Sequence, residues 1–85
     1  MRLIAEFTTE PFSAEDVPPA HATKALDIVR AAGLASDFGP LGTSVRGEAS
    51  EVLAVLHDVL GSVFEHDATR ITLQVERDET PQGRG

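Results

Sequence analysis

The chain has 85 residues, 41% of them hydrophobic, with no cysteine and a formal charge of -7 from seven basic and fourteen acidic side chains. That length supports one domain with one core, and the missing cysteines exclude disulfides and thiolate metal sites. The acidic balance disfavours nucleic acid and anionic membranes as partners, because both present phosphates.

No apolar run reaches the roughly 18 residues of a membrane span. Glu6 also interrupts the first apolar stretch before it can read as a signal peptide. A soluble, cytoplasmic protein is expected. A domain of this size buries only about 60% of its unfolded surface, so self-association is the expected source of further burial. The histidines are His21, His57 and His66. None has an HxH or HExxH spacing, so no metal site is expected. All three read as surface positions on or beside helices.

Arg2 to Thr9 alternates, with Leu3, Ala5 and Phe7 on one side and Ile4, Glu6 and Thr8 on the other. This is a strand with one apolar face, ended by Glu10-Pro11. A first helix is expected from Pro18 to Ala32. Its prolines suit the first turn, and Ser13 or Asp16 can cap it. Ala22, Ala25, Leu26, Val29 and Ala32 form its apolar stripe. Gly33-Leu34 reads as the stop, with a hydrophobic contact.

Ala35–Phe38 and Thr43–Gly47 are short strand candidates joined by the hairpin connection Gly39-Pro40-Leu41-Gly42. Ser50 is the expected cap of a second helix. Val52, Leu53, Val55, Leu56, Val59, Leu60, Val63 and Phe64 give that helix a wide apolar face. Gly61 interrupts it, at a cost of about 1 kcal/mol relative to alanine unless close packing requires it. Arg70 to Arg77 is the last strand, with Ile71, Leu73 and Val75 alternating against polar residues. The polar residues after it read as a tail, which makes 1–78 one domain and 79–85 a flexible extension.

The order β-α-β-β-α-β predicts an α+β, ferredoxin-like fold: a four-stranded antiparallel sheet with both helices on one face. Leu3, Ala5, Phe7, Ile71, Leu73 and Val75 are expected to face the helices. Glu6, Thr8, Thr72, Gln74 and Glu76 are expected on the open face, which is either solvated or covered by a second subunit.

Fold alone does not name a function, but Asp37-Phe38-Gly39-Pro40-Leu41-Gly42-Thr43-Ser44-Val45-Arg46-Gly47-Glu48 resembles the hairpin of the thiamine-binding protein family. Ala5-Glu6-Phe7 with Pro11, Ala25 to Arg30 before Gly33-Leu34, Ser50 to Leu53, and Val63-Phe64-Glu65 are similar to that family's other elements. The similarity runs over residues 2 to 77. It departs at Pro18-Pro19-Ala20-His21, where a serine-rich entry is usual, and at Leu60-Gly61-Ser62, where a His/Glu segment is common. The resemblance implies a homodimer or homotetramer that binds thiamine or its hydroxymethylpyrimidine portion. It implies a carrier or buffer of the vitamin, with no reaction and no cofactor.

A thiamine site needs hydrogen-bonding groups for the aminopyrimidine, an apolar surface for stacking, and negative charge near the thiazolium. Thr43 and Ser44 supply hydroxyls beside Gly42, where the backbone allows close approach. Phe38 supplies a ring. Glu48 and Glu6 supply carboxylates, and Thr8 shares the face of Glu6. Each also has a purely structural role open to it: strand, turn, core or helix-terminus residue. No nucleophile–base, phosphate-loop or dinucleotide motif is present, so a non-enzyme is expected. The alternative is a ligand-independent regulatory or assembly module acting through homo-oligomeric sheet pairing.

Overall fold

The computed structural model describes residues 1–11, 19–39 and 42–79. The elements are β1 (Arg2–Glu10), α1 (Ala20–Ala31), β2 (Ala35–Gly39), β3 (Gly42–Glu48), α2 (Ala49–Glu65) and β4 (Arg70–Arg77). The strands form one antiparallel sheet in the order β2-β3-β1-β4. This is the expected ferredoxin-like α+β fold. Among the described residues, no helix is long and apolar enough to cross a membrane.

The register places side chains in rows across the sheet. On the helix side one row is Phe38–Thr43–Phe7–Leu73 and the next is Ser36–Val45–Ala5–Val75. On the open side the matching rows are Asp37–Ser44–Glu6–Gln74 and Ala35–Arg46–Ile4–Glu76. The core is closed by Leu3, Ala5, Phe7 and Val45 from the sheet, Ala25 and Val29 from α1, and Val52, Val55, Leu56, Val59 and Val63 from α2. Helix α2 lies over β1 and β3, and α1 packs beside it towards β2.

Several sequence expectations change in detail. Helix α1 begins at Ala20 with Pro19 as its N-cap, and no side chain caps it. Ser13, Asp16 and Pro18, expected at its start, lie outside the described residues. Helix α2 begins one residue before Ser50, with Glu48 as N-cap and no side-chain cap. Ser50 therefore sits inside the first turn and does not cap. Strands β2 and β3 extend to Gly39 and Gly42, which are Cα partners, so both glycines belong to the ladder and not to the connection. Pro40 and Leu41 lie outside the described residues, as do residues 80–85 of the expected tail.

The helix stop is as expected. Gly33 takes φ +74° and donates its N–H to the Arg30 carbonyl at 3.0 Å. That left-handed conformation costs glycine little. Leu34 then packs over Gly47, where an added Cβ would lie 3.1 Å from Leu34 Cδ2. Gly61 has no such reason, because a Cβ there meets nothing within 4 Å and the residue is exposed on α2. Gly61→Ala should therefore stabilise the fold by about 1 kcal/mol. A thermal melt should show a rise of about 4–8 °C for a domain of this size; an unchanged or lower midpoint would mean that the glycine serves packing after all.

The apolar face of α2 is wider than the core it covers. Leu53, Leu60 and Phe64 are exposed, as are Leu73 and Val75 on β4. The β4 residues do lie on the helix side, but β4 is the outer strand beyond the two that α2 covers. Leu73 and Val75 thus face the helix side as expected, but they are not covered there.

Candidate functional site

The predicted site residues divide between the two sides of the sheet. Phe38 and Thr43 are Cα partners on the helix side. The Phe38 ring is 43% exposed at the outer strand, while Thr43 is 5% exposed between Phe38 and the buried Phe7. Among the described residues, the Thr43 hydroxyl has no hydrogen-bond partner. An unpartnered hydroxyl beside an exposed aromatic ring offers one directional group and one stacking surface at the same point.

Ser44, Glu6 and Thr8 lie on the open side. Ser44 faces Glu6 on β1 and Asp37 on β2, and Glu6 in turn faces Gln74 on β4. Alternation forces this division, since consecutive strand residues point to opposite faces. The open-side row adds Asp37 as a carboxylate that the sequence reading did not single out. This row is polar, but it lies on a sheet face that no described element covers.

Gly42 belongs to both sides through its backbone. Its φ is +149°, and a Cβ built there would sit 2.7 Å from the Phe7 carbonyl oxygen and 2.7 Å from Thr8 Cγ2. The first atom is backbone and cannot swing away. Strand β3 approaches β1 at this point as only a glycine permits, which brings Thr43 against Phe7.

Glu48 stands apart. It ends β3, four residues beyond Ser44, or about 13 Å along a strand rising about 3.3 Å per residue. Its carboxylate lies 3.6 Å from the N-terminal ammonium of Met1, and both groups are half exposed. Ala49 N–H donates to the Met1 carbonyl at 2.8 Å. Within one chain Glu48 thus serves the start of α2 and the N-terminus, away from the hairpin.

Two residues at the hairpin end escaped the sequence reading. His21, expected at the surface, is 2% exposed, and Thr9 is buried beside it. The His21 ring lies 2.7 Å from the Thr9 hydroxyl through Nδ1 and 3.2 Å from the Pro11 carbonyl through Nε2. A carbonyl only accepts, so Nε2 carries the proton, and in the neutral ring Nδ1 accepts from the Thr9 hydroxyl. This pair fastens the start of α1 to the end of β1, two residues beyond Phe7 on the same side. His57 is exposed and His66 half-buried; His66 Nδ1 donates to the Ser62 carbonyl at 2.9 Å.

The comparisons with known proteins agree with this architecture. A domain of unknown function, DUF77, from Bacillus cereus superposes with a TM-score of 0.68 at 17% identity, covering 95% of this chain and 78% of its own. A hypothetical protein from Methanocaldococcus jannascii gives 0.69 at 19%, covering 98% and 84%. A proposed thiamine biosynthesis/salvage protein from Thermotoga maritima gives 0.66 at 20%, covering 89% and 81%. At these identities the likeness shows the fold alone. A search of curated proteins returns no match. The family model for thiamine-binding protein matches residues 5–85, from β1 through the hairpin to the last residue, and the chain belongs to that family.

Proposed function

We propose that this protein binds thiamine or its hydroxymethylpyrimidine portion without transforming it, as a carrier or buffer of the vitamin. The observation that carries this reading is the family match over residues 5–85, which takes in the whole hairpin and its neighbours. The Thermotoga maritima neighbour, described for thiamine biosynthesis or salvage, supports the same ligand class.

Within the chain we place the pyrimidine on the helix side of the hairpin. Small-ligand sites are concave and mostly apolar, with a few polar groups fixing orientation. Phe38 offers its face for stacking, and Thr43 offers a hydroxyl to a ring nitrogen or the exocyclic amine. The open-side group of Ser44, Glu6, Thr8 and Gly42 is the second location. There Glu6 and Asp37 give a cationic thiazolium its counter-charge. Glu48 joins either site only if a second subunit brings it there.

Isothermal titration with thiamine and with hydroxymethylpyrimidine tests both levels. Saturable heat is expected with the intact protein. Phe38→Ala should weaken binding by about 1–2 kcal/mol, roughly 5- to 30-fold. Thr43→Val should cost about 1 kcal/mol, while Glu6→Gln and Ser44→Ala leave affinity within about threefold. The reverse order moves the site to the open face. Folded protein giving no heat at millimolar ligand sinks the function.

A further inference from the structure

We infer that Thr9 is a specificity residue of the ligand site, that His21 fixes the polarity of its hydroxyl, and that the pair selects an aminopyrimidine over its oxo analogue. This assignment rests on the helix-side placement of the pyrimidine proposed above. It names the edge of the ring that is read and the residue that reads it.

A carbonyl oxygen only accepts. Nε2 of His21, 3.2 Å from the Pro11 carbonyl, therefore holds the ring proton. In the neutral ring Nδ1 is then a lone pair, and the Thr9 hydroxyl 2.7 Å away donates to it. His21 is 2% exposed and Thr9 8% exposed, so the hydroxyl has little water to turn to and its hydrogen is committed. What remains on Thr9 Oγ1 is acceptor capacity alone, and no described residue donates to it. Thr43 is the opposite case. Its hydroxyl is buried without a partner among the described residues, so it is free to donate or to accept.

Thr9 and Thr43 share the helix side. Thr43 is the Cα partner of Phe7, and Thr9 lies two residues beyond Phe7 on β1. Such diagonal neighbours are about 7–8 Å apart. Side chains on one face stand roughly perpendicular to the sheet, so the two hydroxyls keep a similar spacing. Two hydrogen bonds of about 2.9 Å, with the edge of an aminopyrimidine between them, span it.

That edge carries an exocyclic amine, which donates, beside a ring nitrogen, which accepts. The amine donates to Thr9 Oγ1, the Thr43 hydroxyl donates to the ring nitrogen, and Phe38 beside Thr43 stacks on the ring. An oxo group in place of the amine reverses the edge. Its oxygen accepts, and the neighbouring ring nitrogen carries a proton. Thr43 can rotate to suit. Thr9 cannot do so without giving up His21, and otherwise two acceptors face each other. A site built to pair a polar group of its ligand rejects an analogue that leaves its own buried group unpaired. His21 is thus a positioning residue, acting on the ligand through Thr9.

Isothermal titration of the intact protein with hydroxymethylpyrimidine and with its oxo analogue gives the ratio of two affinities. The amine is expected to bind roughly 10- to 100-fold more tightly. Thr9→Val removes the acceptor, and His21→Leu releases the Thr9 hydroxyl to rotate. Each should bring the ratio to within about threefold, while Thr9→Ser should retain the preference. A variant that is partly unfolded loses sites for both compounds equally, so the ratio reports polarity and not stability. Nitrogen NMR of the histidine rings, without ligand and at the pH of the titration, should show His21 protonated at Nε2 only. Binding of both compounds with equal affinity overturns the inference and leaves the proposed function standing. So does a preference that survives Thr9→Val or His21→Leu, or a His21 ring protonated at Nδ1. Folded protein that gives no heat with either compound overturns both.

Discussion

Phe7→Ala should cost the fold about 3–5 kcal/mol, the usual range for emptying a fully buried phenylalanine site. Phe7 is 3% exposed and stands between Thr43 and Leu73 in the row nearest the hairpin. Most of the other core side chains are valine or alanine, so no large neighbour is available to fill the space. Domains of this kind have about 5–15 kcal/mol of stability in total, and one of 85 residues is at the lower end. Urea unfolding should show a large drop in midpoint or no cooperative transition at all. A loss under about 1 kcal/mol would mean that the core is not centred on this row. Under the proposed function, the change would also abolish ligand binding, but only by unfolding the protein. Phe38→Ala, at an exposed ring in the same row, separates recognition from stability.

The fold was legible because its strongest signals are local. The alternation of β1 and β4 and the apolar periodicity of α2 each specify an element without knowledge of the others. Coverage is not local. Val75 and Val63 look alike in sequence, yet one is 39% exposed and the other fully buried, because only the strand order shows that β4 lies beyond the helices. The helix starts were misread for a related reason. Ser50 is a good capping residue by type, but the pairing of Arg2 with Glu48 and the hydrogen bond from Ala49 to Met1 carry β3 directly into α2.

The candidate site was legible as a neighbourhood and less so as a geometry. The hairpin residues, read within the order of elements around them, carried the resemblance to the family whose model matches residues 5–85. Grouping Thr43 with Ser44 nevertheless set aside strand alternation, which sends adjacent side chains to opposite faces. His21 was missed although a signal was present. His21, Ala25 and Val29 are spaced by four, continuing the buried stripe of α1 to its first turn. Thr9 likewise continues the series Leu3, Ala5 and Phe7. Two polar residues that each complete an apolar pattern, on elements adjacent in sequence, are candidates to bond each other.

Removing that bond from one side should be the more costly change. His21→Leu keeps a side chain of comparable bulk, but it leaves the buried Thr9 hydroxyl without its partner and frees the Pro11 carbonyl. A buried polar group left unsatisfied costs about 1–3 kcal/mol. The Pro11 residue is exposed, so its carbonyl can take water, and most of the loss falls on Thr9. His21→Leu should therefore destabilise by about 2 kcal/mol. Thr9→Val alone should cost somewhat less, because the His21 ring keeps its bond to Pro11. Combining the two should recover part of the loss, since replacing both partners with apolar groups removes the orphan. Denaturant unfolding of the two single variants and the double variant closes a cycle whose coupling energy should be about 1–2 kcal/mol. Strict additivity would mean that the 2.7 Å contact contributes nothing to holding α1 against the end of β1. Coupling in that range would make His21 the polar fastener that sets the entry of α1 beside Phe7 and Thr43, and with it the shape of the helix side of the hairpin.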